Sequence, residues 1–356
     1  MTESPLLQMT QQTPTCLWND SADPVELSQS IGWGAVGATC NPVIALSALK
    51  ADLPTWAGRI RAYATDHPQA TDDEIGWAMV RRLSVEAATL LEPAFERYRG
   101  VNGRLSIQTD PRNHRDTAAL VEQAVEFNSL APNMIVKIPV TTEGVQAIEE
   151  ATYRGVSINA TVSFSVPQAI AVGQAVEAGL RRRDDEGLDT SRMGPVCTIM
   201  VGRLDDWMRV VAERDQITVD PGIMEWAGVA AFKKAYQIYV ERGWRTRLLS
   251  AAFRNHMHWS ELIGGNVVIS PPFAWQQRCN ASGIEPRARL EDPVDPRIVD
   301  QLYEKFSEFR RAYDVDGMTP AEFSSYGATV RTLRQFLGAT NDLEALVRDV
   351  LLPSPG

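Results

Sequence analysis

Short apolar runs alternate along this chain with longer segments in which apolar residues recur every three or four positions. The first pattern marks buried strands, the second helices that bury one face. Strand-like runs fall at residues 15–19, 34–39, 104–109, 134–140, 157–164, 195–201, 245–253 and 266–270. Each leads into a helical candidate. Asp23-Pro24 opens the first helix with an N-cap carboxylate and a proline at the first helical position. Thr142-Glu143-Gly144 opens another. Eight β/α repeats in 356 residues predict an α/β fold, a closed (β/α)8 TIM barrel rather than an open sheet.

Two segments exceed the repeat. Residues 53–98 carry extra helical pattern after the second strand, and residues 296–352 are mostly amphipathic helix after the eighth. No Ser/Gly-rich linker and no internal repeat divides the chain. Residues 13–352 are therefore expected as one barrel domain that includes the C-terminal helices, and residues 1–12 as a flexible lead-in. The C-terminal helices can cap the barrel or pack on a partner, so both a monomer and a homodimer fit. The charge run Arg181-Arg182-Arg183-Asp184-Asp185-Glu186 reads as a solvated helix end.

Composition adds exclusions. With 44% hydrophobic and 22% charged residues, the chain has the balance of a globular protein. No run approaches the roughly 18 uncharged apolar residues of a membrane span. The start, MTESPLLQMTQQTPT, lacks a basic segment followed by an apolar core, so no signal peptide is expected. A net charge of −10 argues against nucleic-acid binding, which needs a basic face. Cys16, Cys40, Cys197 and Cys279 form no CxxC pair, and His67, His114, His256 and His258 have no metal-ligand spacing. The expectation is a cytoplasmic protein with reduced thiols and no metal.

Active sites of such barrels lie at the C-terminal ends of the strands, where polar residues interrupt apolar runs. These residues are Asp20, Asn41, Gln108, Asp110, Lys137, Asn159, Thr161, Thr198, Arg203, Arg254 and Asn255. Of five lysines, Lys50, Lys233, Lys234 and Lys305 sit in polar-facing helical patterns, and Lys137 alone lies in an apolar run, Met-Ile-Val-Lys-Ile-Pro. Burial disfavours its charged form, and a neutral amine attacks carbonyls. It can equally snorkel to a strand-end carboxylate. Asp20 can move protons or cap a helix. Asn41 and Asn159 can bind hydroxyls or shape turns. Thr161 can position a water or simply suit a strand. Arg203 and Arg254 can grip a phosphate or pair with carboxylates on the rim.

The segments LWNDSADP, GATCNP, NMIVKIPVTTEGVQAIEE, INATVSFSVPQA, CTIMVGRLDDW and AAFRN occur in the order found in transaldolases, and the chain resembles that family from about Trp18 to Pro272. The resemblance implies a class I aldol barrel without cofactor or metal. It implies Lys137 as the Schiff-base lysine and Asp20 as the carboxylate assisting carbon–carbon bond cleavage. It further implies Asn41 and Asn159 as substrate-orienting, Thr161 as a holder of the catalytic water, and Arg203 and Arg254 as phosphate-binding. Its partners would be sugars or sugar phosphates, between which a dihydroxyacetone unit moves in the pentose phosphate pathway.

Departures mark a divergent member. Gln108 stands where the family commonly has glutamate, Thr198 where serine is usual, and Ala252 where many members have a phosphate-contacting serine. Related fructose 6-phosphate aldolases also carry the glutamine, but pair it with a tyrosine where this chain has Met200. The alternatives are an aldolase-like lyase, and a sugar-phosphate-binding barrel without catalysis.

Overall fold

The computed structural model describes residues 4–354. Eight parallel strands form its centre: β1 (Cys16–Asn19), β2 (Ala35–Cys40), β3 (Arg104–Gln108), β4 (Met134–Pro139), β5 (Ile158–Thr161), β6 (Val196–Ile199), β7 (Arg247–Ala251) and β8 (Val268–Ser270). Each pairs with the next, and β8 returns to β1 through Cys16↔Val268 and Leu17↔Ile269, closing the barrel. Every expected apolar run coincides with a strand, β2 running one residue past its run to Cys40.

Two strands are shorter than their apolar runs for a visible reason. Val162 (φ 55°) ends β5 and Ala252 (φ 62°) ends β7. A left-handed residue turns the chain out of the sheet, and both turns fall at the barrel mouth.

Trp18, Ile135, Val196, Leu249 and Val268 come from five strands and pack together, apart from the main core. They fill the barrel interior beneath the mouth. Trp18 is fully buried there, and a Cβ on Gly37 would stand 2.4 Å from its ring, so only glycine lets the indole lie flat on β2. The larger core lies between strands and helices. As expected, Asp23 caps the first barrel helix, accepting from the backbone N–H of Val25 and Glu26.

The insertion after β2 folds as helices Leu53–Asp66 and Asp72–Arg97, the latter opened by a reciprocal Thr71–Glu74 capping box. The last helix, Gly327–Leu351, packs on helices Pro42–Ala51 and Asp72–Arg97. It reaches the barrel mouth, where Phe336 forms part of the cavity wall.

The expected flexible lead-in needs correction. Residues 1–3 lie outside the described residues, but Pro5–Gln12 is a helix started by the Ser4 hydroxyl, with Leu6 and Met9 fully buried. Ser4 donates to Asn280 (2.7 Å) and Met9 Sδ accepts from the Trp259 indole (3.3 Å). These partners are more than 240 positions away, so no local pattern announces them. Among the described residues no helix is long and apolar enough to cross a membrane.

Candidate active site

A cavity of about 160 Å³ opens at the C-terminal ends of the strands. Asp20, Asn41, Lys137, Thr161, Thr198, Arg203 and Arg254 all line it, together with Met200 and Ala252. Seven of the eleven polar residues singled out in the sequence thus face one space, and of the nine to which a site role was given only Gln108 and Asn159 fall outside its lining. These two flank Lys137 in register on the neighbouring strands. In a parallel sheet, register neighbours point to the same face, so both side chains share Lys137's layer inside the barrel.

Lys137 is 6% exposed, and its ammonium makes no hydrogen bond or ion pair with a described residue. Burial pushes its pKa down from 10.5, opposed mainly by the negative field of Asp20. Lys233, expected on a polar face, is also buried, which corrects that reading. The two lysines differ in their partners. Lys233 donates to Glu261 (3.2 Å) and to the carbonyls of Arg289 and Asp292 (2.9 Å each), as a structural ammonium does.

Asp20 is not a helix cap, since Asp23 has that place. Its Oδ1 accepts from the Thr39 hydroxyl at 2.5 Å, and its backbone N–H donates to Pro271 O, anchoring the end of β1 to the loop after β8. Asn41 caps helix Pro42–Ala51 by accepting from Ile44 N–H (3.0 Å), so its carbonyl is structural while its amide can still donate. Asn159 is held on both sides. It donates to Ser106 (2.9 Å) and accepts from Thr198 (2.7 Å). The Gln108 carbonyl oxygen is buried without a donor, a state that costs on the order of 1–3 kcal/mol unless something fills it. The Thr161 hydroxyl has no partner among the described residues.

The two arginines differ. Arg254 pairs with Asp206 through two nitrogens (2.9 and 2.7 Å) and donates to the carbonyls of Ala252 and Phe253. Arg203 has no carboxylate partner among the described residues. It lies over the Phe336 ring (5.8 Å) and reaches the Thr332 hydroxyl only at 3.5 Å. Burial, then repulsion from Arg254, lowers its pKa to about 10.

A fully buried pair supports both arginines, and sequence reasoning missed it. His258 Nε2 lies 2.8 Å from Asp205 Oδ2, while Asp205 Oδ1 accepts from Gly228 N–H (2.9 Å). On its other side, His258 Nδ1 accepts the backbone N–H of Arg254 (3.0 Å). Gly202, next to Arg203, packs so closely that a Cβ would stand 2.0 Å from Ala252 O and 3.1 Å from the His258 ring. The only sequence signal was the pair of histidines set aside for lacking metal spacing. Asp110 and Asn255 do not line the cavity: Asp110 pairs with Arg112, and Asn255 donates to Glu225 O. Among the described residues no three of His, Cys, Asp and Glu come together as a metal-binding group.

Fold and site define a (β/α)8 barrel whose mouth presents a desolvated amine, a carboxylate and two guanidiniums. The chain belongs to the Transaldolase/Fructose-6-phosphate aldolase family, whose model matches residues 17–325. It is similar to a transaldolase of Thiobacillus denitrificans, 36% identical over 215 residues, which cover 58% of each chain. It is also similar to one of Thermobifida fusca, 36% identical over 173 residues (48% of this chain, 46% of that protein). These two matches span about half the length of each relative. A transaldolase of Alteromonas mediterranea is 28% identical over 344 residues, covering 93% of this chain and 95% of that protein.

Proposed function

We propose that this protein transfers a dihydroxyacetone-type unit between sugar phosphates, or a modified sugar, through a Schiff base on Lys137. The observation that carries the reading is the buried amine of Lys137, without a hydrogen bond or ion pair among the described residues, in register between Gln108 and Asn159 at the barrel mouth. A lysine kept only for stability would have acceptors, as Lys233 has.

In this reading Lys137 Nζ adds to the ketose carbonyl and water leaves, giving a protonated imine. Asp20 takes the proton of the hydroxyl two carbons beyond that carbonyl as the carbon–carbon bond breaks. The electron pair flows into the iminium, and the aldose phosphate departs. The enamine then attacks an acceptor aldehyde, Asp20 returns the proton to the new alkoxide, and water releases Lys137. Desolvation supplies the neutral amine, and the Thr39 hydroxyl holds the Asp20 carboxylate towards the cavity. Asn159, fixed by Ser106 and Thr198, and Asn41 orient substrate hydroxyls. Gln108 and Thr161 hold the water, with their free acceptor and hydroxyl. Arg203 and Arg254 take the phosphate, for which Arg254 exchanges Asp206. Sugar-phosphate interconversion of the pentose phosphate kind, in the cytoplasm, fits this reading, and the four unpaired cysteines suit a reducing compartment.

The test is acceptor dependence. Incubated with fructose 6-phosphate, the protein should form a new ketose phosphate only when an aldose phosphate is added. Release of free dihydroxyacetone without an acceptor would replace transfer by lyase action. No product in either case would leave binding alone.

A further inference from the structure

The C-terminal helix brings a second set of cations to the mouth. Arg331 and Arg334, one turn apart on helix Gly327–Leu351, are both exposed, and neither makes a hydrogen bond or ion pair with a described residue. With Arg203, Thr332, Gln335 and Asp206 they line a cavity of about 370 Å³. Arg203 is common to this cavity and the one holding Lys137. Among the described residues Asp206 is the sole carboxylate on the wall, and it is already committed to Arg254 (2.7 Å) and Arg209 (3.2 Å).

Three guanidiniums therefore converge on a space whose one acid is engaged elsewhere. In a chain of net charge −10 this is a local reversal of sign. The Arg331 charge is felt at Arg203, where it adds to the repulsion that disfavours the protonated guanidinium. Such a concave, positively charged wall concentrates anions, and planar guanidiniums match the oxygen pairs of phosphate.

The geometry points to a second anion site formed by Arg331, Arg334 and Arg203, contiguous with the phosphate end of the catalytic pocket and suited to a phosphate-class group. The inference rests on the reading of Arg203 and Arg254 as the pair that holds the substrate's phosphate. Two sources share this chemistry. One is a sugar whose terminal phosphate carries a further phosphate, so that one ligand fills both cavities across Arg203. The other is a free phosphate bound beside an ordinary sugar phosphate.

The test is calorimetric titration of the full chain with inorganic phosphate, then with pyrophosphate. Wild type should bind two phosphates. The double variant Arg331→Ala, Arg334→Ala, altered only at exposed helix positions, should bind one, the second weakened about tenfold or more, the worth of one charge-assisted hydrogen bond. One pyrophosphate displacing both phosphates would assign the site to a diphosphate-ended substrate. Two independent phosphates, only one displaced by pyrophosphate, would assign it to a free anion. A single phosphate per wild-type chain, or two in the double variant, would overturn the proposal. Trapping of unphosphorylated dihydroxyacetone on wild-type Lys137 is a separate readout. Its failure with two phosphates bound would remove the Schiff-base reading and leave the anion site standing.

Discussion

His258→Ala is expected to damage stability and phosphate recognition together while sparing the lysine chemistry. Both His258 and Asp205 are 0% exposed. Removing the imidazole leaves the Asp205 carboxylate with Gly228 N–H as its near donor and takes the acceptor from the Arg254 backbone. Breaking a buried pair in this way costs about 3–5 kcal/mol. Unfolding entropy of roughly 2.1 cal/mol/K per residue gives about 0.75 kcal/mol per degree for a chain of this length, so Tm should fall by about 4–7 °C. Burial already raises the Asp205 pKa above 3.8, and His258 holds it down. Without His258 it rises further. The variant can therefore relieve its deficit by protonating, and the loss should be larger at pH 8 than at pH 5. Arg254 loses its backbone anchor, so KM for phosphorylated substrates should rise roughly tenfold with kcat little changed. His258→Asn, which keeps a donor and an acceptor, should recover part of both. A Tm within a degree of wild type, or an unchanged KM, would refute the account of this pair.

Two further substitutions separate the roles at the lysine. Gln108→Glu restores the acid usual in the family and places a carboxylate in register with Lys137. Transfer should accelerate about tenfold or more if the missing base limits the rate, and no change would show that another group handles the water. Asp20→Asn removes the negative field that raises the Lys137 pKa. The pH midpoint for borohydride trapping of dihydroxyacetone should fall below 10.5 in the wild type and lower still in the variant, while turnover falls about a hundredfold or more. A midpoint moving upward would contradict the assignment of Asp20.

The barrel was legible because each strand is a buried apolar run with its own start and stop chemistry. The lysine was legible because a single cation interrupts one such run. What escaped depends on contacts distant in sequence. Asp205 and His258 are 53 positions apart, and each looks like an ordinary surface residue of its segment. Helix Pro5–Gln12 is ordered by partners at the far end of the chain. The amphipathic pattern of Gly327–Leu351 announced a helix but not its position at the mouth, which brings Phe336, Arg331 and Arg334 to the site. The early ends of β5 and β7 came from left-handed Val162 and Ala252, residue types that give no warning of such a turn.

The central claim concerns one nitrogen. The protein would be incubated with fructose 6-phosphate, and separately with dihydroxyacetone, then reduced with borohydride and mapped by peptide mass spectrometry. The account predicts a reduced adduct on Lys137 and none on Lys233, which is equally buried but fully partnered. It also predicts that Lys137→Ala abolishes both adduct and turnover while the fold is retained. An adduct elsewhere, or turnover surviving without Lys137, would contradict it.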